Sequence, residues 1–157
     1  MLRHLIESCM RSKARARGEV LLEILRANGH VERYRILNMV VAGGEAYAAS
    51  RAVGVATDVI SHMAPGTDNT AAAGTDTALG AEIADSRVAV TASSDGNTAK
   101  YIAVFAPGVG TGAWTELGLF NAAAAGTMTN RSVFGTKTKD AGDQITVTWT
   151  VQYTDAS

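Results

Sequence analysis

Cysteine is all but missing. Cys9 stands alone among 157 residues, which excludes an intrachain disulfide and fits a fold that assembles without staples in a reducing cytoplasm. Histidine is scarce too: His4, His30 and His62 fall in three separate segments, none at helical spacing from another His or Cys, so no zinc ligand set forms. Aromatics are only 6% of the chain, and alanine supplies much of its 46% apolar fraction. Such a composition suits thin layers and tight turns better than a large enzyme core. No apolar run approaches the roughly 20 residues of a bilayer-crossing helix, and "MLRHLIESCM" lacks the unbroken apolar stretch of a secretion signal. A net charge of −1 gives no reason to expect nucleic acid as a partner.

Catalytic templates fail for want of residues. There is no "GxSxG" elbow, and His62 has no evident acid or nucleophile beside it. "PGVGTG" has the glycines of a phosphate loop but joins two strand-like runs and lacks a following Lys-Ser or Lys-Thr, so it reads as a hairpin loop. The stretch "PGTDNTAAAGTDTALG" repeats "GTD" at eight-residue spacing, yet only Asp68 and Asp76 supply carboxylates, too few for a calcium loop. No catalytic residue, cofactor or metal site is expected.

Charge is unevenly spread. Residues 1–35 hold eight Lys or Arg against four Asp or Glu, and the remaining chain is acidic. From Leu2 to Ala27 apolar residues recur at spacings of three and four (Leu2, Leu5, Ile6, Cys9, Met10, then Val20, Leu21, Ile24, Leu25), which predicts one helix, or two broken near Gly18, stopped at Asn28-Gly29. Within it Arg11, Lys13, Arg15 and Arg17 form a run of four cations, read first as a solvated face, then as a contact for an acidic neighbouring subunit, and last as a contact for nucleic acid.

"VERYRILNMVV" reads as a strand, "AGGEAYAASRAVGVA" as a helix after its glycines, and "DVISHMA" as a short strand. The "GTD" stretch reads as a long loop ending in a helical turn over "DTALGAEI", capped by Asp76 or Thr77. After Asp85 the pattern changes to five strand-like runs, "RVAVTAS", "AKYIAVFA", "AWTELGLF", "TMTNRSVFG" and "QITVTWTVQYT", with short turn signals between them. An antiparallel meander follows, burying Tyr101, Phe105, Trp114 or Leu117, Phe134 and Trp149. In the last run Ile145, Val147, Trp149, Val151 and Tyr153 alternate with Thr146, Thr148, Thr150 and Gln152. Glu116 interrupts an apolar run, on the same face as Trp114 by alternation, and Arg131 on the next strand is its expected partner.

The run "WTELGLFNAAAAGTMTNRSVFGTKTKDAGDQITVTWTVQY", with the earlier "GTDTALGAEIADSRV", resembles a family of small virion proteins of tailed bacteriophages, labelled tail-fibre-like or minor structural proteins. The match runs through Thr77 to Ile83, Arg87, Glu116 to Ala122, Arg131 to Phe134 and Asp143 to Tyr153, and covers roughly residues 36–154. It implies a non-enzymatic structural protein of the virion, assembled in the host cytoplasm as a homo-oligomer against other virion proteins. A tail, collar, baseplate or fibre-attachment position is expected; a capsid decoration protein clamping capsomers and a carbohydrate-binding host-recognition module using Trp114 and Tyr101 are the alternatives. The expected fold is mainly β with N-terminal helices, an α+β arrangement. A basic helical docking arm over residues 1–30 precedes a small antiparallel β-sandwich or barrel over residues 31–157. Candidate interface residues are Arg11, Lys13, Arg15, Arg17, Thr146, Thr148 and Thr150.

Overall fold

A computed structural model describes residues 15–55 and 58–154. The described residues begin with a strand, not a helix. β1 (Arg15–Leu25) and β2 (Val31–Val40) form an antiparallel hairpin in register from Gly18 opposite Asn38 to Leu25 opposite Val31. At its tip Gly29 takes a φ of 85°, Arg26 N–H donates to the His30 carbonyl at 2.8 Å, and the Asn28 side chain accepts from His30 N–H at 3.0 Å. Asn-Gly is a hairpin signal as well as a helix stop, and here it makes the hairpin.

The helical reading therefore fails over residues 15–25; its part over residues 2–14, with Arg11 and Lys13, lies outside the described residues. In β1 the true period is two. Val20, Leu22 and Ile24 are fully buried, while Arg17, Glu19, Leu21 and Glu23 alternate with them on the other face. Leu21 and Leu25 belong to that outer face, and their apolar character created the false spacing of three and four. The division drawn at residue 30 falls in the turn between two paired strands.

Seven further strands follow: β3 (His62–Gly66), β4 (Val88–Ala89), β5 (Thr91–Asp95), β6 (Thr98–Phe105), β7 (Gly112–Phe120), β8 (Met128–Lys139) and β9 (Gln144–Thr154). All pair antiparallel, in the order β4-β3-β7-β8-β2-β1-β9-β6-β5. β2 joins two sheets. It lies beside β1 along most of its length, and Met39 and Val40 pair with Arg131 and Asn130 of β8.

The expected meander is only partly present. β5 with β6 and β7 with β8 are hairpin neighbours, but β9 leaves β8 and inserts between β1 and β6. One of its two partners is β1, the first described strand, which a helical reading of that segment hides.

One core unites the two sheets. Val20, Leu22, Ile24, Ala103, Phe105, Ile145, Val147 and Trp149 from the first pack with Met63, Trp114, Leu117 and Leu119 from the second. Phe105 and Trp114 meet edge to face with centroids 4.8 Å apart, and Trp114 Nε1–H donates to the Gly110 carbonyl at 2.6 Å. Tyr101 and Phe134 only border this core.

The single described helix, α1 (Ala42–Ala52), begins ahead of its two glycines. Gly44 is the reason it can lie where it does: a Cβ there would stand 2.1 Å from the Thr129 carbonyl oxygen. No helical turn forms over "DTALGAEI". The backbone amides of Gly80 and Ala81 are committed to a side chain of β7 instead.

Candidate functional site

Glu116 is fully buried, but Trp114 does not share its face of β7 as alternation expects. A register shift between Trp114 and Glu116 lets Trp114 share the core with Leu117 and Leu119, and turns Glu116 towards the loop of residues 67–81. There Glu116 Oε1 accepts from Ala81 N–H at 2.8 Å and Asp68 N–H at 3.2 Å, and Oε2 accepts from Gly80 N–H at 3.0 Å. Arg131, 3% exposed, donates from Nε to Glu116 Oε2 at 2.9 Å. In register Arg131 faces Gly118 and Glu116 faces Val133, so the pair meets diagonally across the two strands.

The rest of the guanidinium is also used. Nη1 donates to Asp76 Oδ2 at 2.8 Å, and Nη2 to Asp68 Oδ2 at 3.2 Å. The two aspartates of the repeated "GTD" are thus two of the three carboxylates on one arginine. Each is held below the usual carboxylate range: Asp68 first by the Thr70 amide and hydroxyl, Asp76 first by the Ala73 amide, and both further by Arg131. Gly66 and Gly80 leave the room, since a Cβ would stand 2.3 Å from Glu116 Oε1 in one case and 1.9 Å from Asp68 Oδ2 in the other.

This cluster is a clamp. It fastens the loop to the sheet with donors and acceptors matched, so its carboxylates are engaged by arginine and amides instead of being poised for proton transfer. Glu116 and Arg131 are visible in the sequence as a pair; Asp68 and Asp76 are missed as their partners, although the eight-residue echo marks them. Among the described residues no group of three or more His, Cys, Asp and Glu is placed to hold a metal ion. His62 lies at the start of β3 with Nδ1 2.9 Å from Ser61 Oγ.

The interface candidates occupy a different place. Thr146, Thr148 and Thr150 run along the outer side of β9, half-buried, with Glu23, Leu21 and Glu19 of β1 opposite them on one flank. Val104, Ile102 and Lys100 of β6 stand opposite on the other flank. Arg17 shares this face one step further along, opposite Gln152. Arg15 pairs through its backbone with Thr154. Beyond β1 lie Arg33, paired with Glu23 at 2.5 Å, Arg35, 3.8 Å from Glu19, and Leu37, 82% exposed. The face is a neutral threonine row bordered by aliphatic side chains and by charges of both signs.

A cavity of about 510 Å³ opens between α1 and the sheets, with Ala16, Val40, Ala48, Ile60 and Val151 among its walls. Tyr47, Tyr101 and Tyr153 surround a neighbouring recess. Burial raises all three phenols, Tyr101 to about 12. Trp114, considered from sequence for sugar stacking, is fully buried. No protein-family model, curated protein or solved structure matches this chain.

Proposed function

We propose that the chain is a non-enzymatic structural component of a tailed-bacteriophage particle, a tail, collar, baseplate or fibre-attachment protein that works through repeated contacts with its own copies and other virion proteins. The observation that carries this reading is the outer face of the β2-β1-β9-β6-β5 sheet. Its Thr146, Thr148 and Thr150 row is uncharged, Leu37 and Val104 stand exposed on its flanks, and Arg17, Glu19, Arg35 and Lys100 supply both signs of charge at its margin. A face with both signs can meet a second copy of itself without net repulsion, and many copies turn a modest interface into strong attachment.

The two antiparallel sheets with their shared core act in this reading as a compact β-sandwich. One sheet carries the clamped loop, and the other presents the contact face. The likeness of "ELGLFNA" and the closing strand to small virion proteins supports the same reading.

Electron microscopy of particles carrying a label at the C-terminus of the protein tests it. Density confined to the tail is the expected result. Density over the whole head would replace the tail position with shell decoration, and particles free of label would remove the virion reading itself. Thr148→Arg, which places a charge in the centre of the face, should leave a folded protein that is lost from particles.

A further inference from the structure

β5 stands at one end of the strand order, and the backbone shows where its hydrogen-bonding groups point. Tyr153 N–H donates to the Asn97 carbonyl at 3.0 Å. Odd-numbered residues at the start of β6 therefore direct their backbone groups to β9, and even-numbered ones direct theirs to β5. The even residues Thr98, Lys100 and Ile102 stand opposite Asp95, Ser93 and Thr91. Ala92 and Ser94 are left with N–H and C=O turned away from the sheet, and β5 has no second strand neighbour among the described residues. Folded proteins shield such an edge by shortness, lysine, proline or a bulge. β4, at the other end of the order, is only two residues long. β5 has five residues, all exposed, pairs with β6 without a register shift, and contains neither lysine nor proline. Its one charge, Asp95, stands beside the Gly96-Asn97 turn.

We propose that β5 pairs antiparallel with β5 of a second copy, about a two-fold axis through Ser93. The strand is complementary to itself. A register centred on Ser93 matches all five residues, and it joins Ala92 to Ser94 of the second copy in hydrogen-bonded pairs, as the outward groups require. Sliding either strand by two residues shortens the pairing, and sliding it by one puts outer side chains on the inner face. Asp95 meets Thr91 of the second copy, a hydroxyl donor, instead of its own twin, so no like charges oppose across the seam. This internal match selects a second copy over a foreign strand, since main-chain bonding alone accepts either. Beneath the edge, Ala92 and Ser94 share a recess with Val59, 57% exposed, and Tyr153, 47% exposed. The added strand extends the wall that β5 forms and shields those side chains, which adds apolar burial to the main-chain bonds. The contact lies on the sheet edge and the threonine row on the sheet face. It is therefore separate from the contact proposed above and holds wherever the protein works.

At the axis Ser93 and its twin form a non-hydrogen-bonded pair with Cα atoms about 4.5 Å apart, within reach of a disulfide. In the full chain carrying Cys9→Ser, mild oxidation of Ser93→Cys should give a covalent dimer in high yield. Asp95→Cys should give little, because its twin lies about 14 Å away along the strands. Ser94→Pro deletes an outward donor and leaves the pairing with β6 in place. Sedimentation equilibrium should show about tenfold weaker self-association for it than for the parent, since each copy loses a main-chain bond, with an unchanged circular dichroism spectrum. Thr148→Arg should associate as the parent does. Equal cross-linking at positions 93 and 95, a parent chain that stays monomeric at every concentration, or undiminished association of Ser94→Pro would overturn the proposal. Loss of association in Thr148→Arg would overturn it too, by assigning the dimer to the threonine face.

Discussion

Arg131 shows how one residue settles the conformation of a distant segment. Its guanidinium is the only positive charge in contact with fully buried Glu116 among the ion pairs of the described residues, and it also gathers Asp68 and Asp76. Arg131→Met leaves Glu116 desolvated and unpaired, a change that costs about 3–5 kcal/mol in comparable buried pairs. Chemical denaturation should show that loss, and amide exchange should show early opening of residues 67–81. Glu116→Gln should be milder, since an amide oxygen in the Oε1 position still accepts from Ala81 and Asp68. At the hairpin end of the molecule, Arg26 and then Tyr34 hold the Glu32 carboxyl at about 2 instead of 4.5. A carboxyl lowered on folding stabilises the fold fully above its unfolded value and ceases to do so as pH falls through the folded one. Tm should therefore decline between about pH 4.5 and pH 2, with Asp68, Asp76 and Asp143, all lowered, adding to the slope. Glu32→Gln should flatten the decline in thermal scans across that window.

Elements were legible wherever a single period dominated. β9, with four buried apolar residues alternating with threonines, is visible in the sequence, as are β6, β7 and α1. β1 was obscured because Leu21 and Leu25 place aliphatic side chains on its outer face, where a polar residue would have exposed the alternation. The facing of Trp114 relative to Glu116 is hidden by the irregularity between them, which no local residue pattern announces. The loop before β4 departs from its capping propensity because a long-range carboxylate takes the amides of Gly80 and Ala81. α1 offers a case where propensity and packing give opposite signs. Gly44→Ala would raise helix stability by up to about 1 kcal/mol on propensity alone, but its Cβ meets the Thr129 carbonyl at 2.1 Å, and backbone cannot yield as a side chain does. Overpacking typically costs about 1–3 kcal/mol, so the variant should be net destabilised in urea titrations. Ala46→Gly, on the exposed side of α1, should cost only the propensity difference.

At the scale of the whole molecule the decisive fact is that the two ends of the described chain are neighbours. β1 and β9 pair along eleven residues, from Arg15 opposite Thr154 to Leu25 opposite Gln144, and each lines the shared core with a row of buried aliphatic or aromatic side chains. Non-local pairing of this kind leaves no trace in local sequence windows, so the strands are legible in the sequence while their order is not. It also changes what truncation does. If residues 1–30 were a detachable arm, a chain starting at residue 30 would fold. Such a chain lacks β1, so it loses fully buried Val20, Leu22 and Ile24 and exposes one edge of β9 and one of β2 at the centre of the sheet. Three lost core aliphatics at about 2–5 kcal/mol each reach the roughly 5–15 kcal/mol that holds a domain folded. The truncated chain should show no cooperative thermal transition and should aggregate through its opened edges. Supplying residues 15–29 as a separate peptide should restore a transition, because the missing element is a strand of the core; a sharp transition in the truncated chain alone would show that the sheet closes without β1.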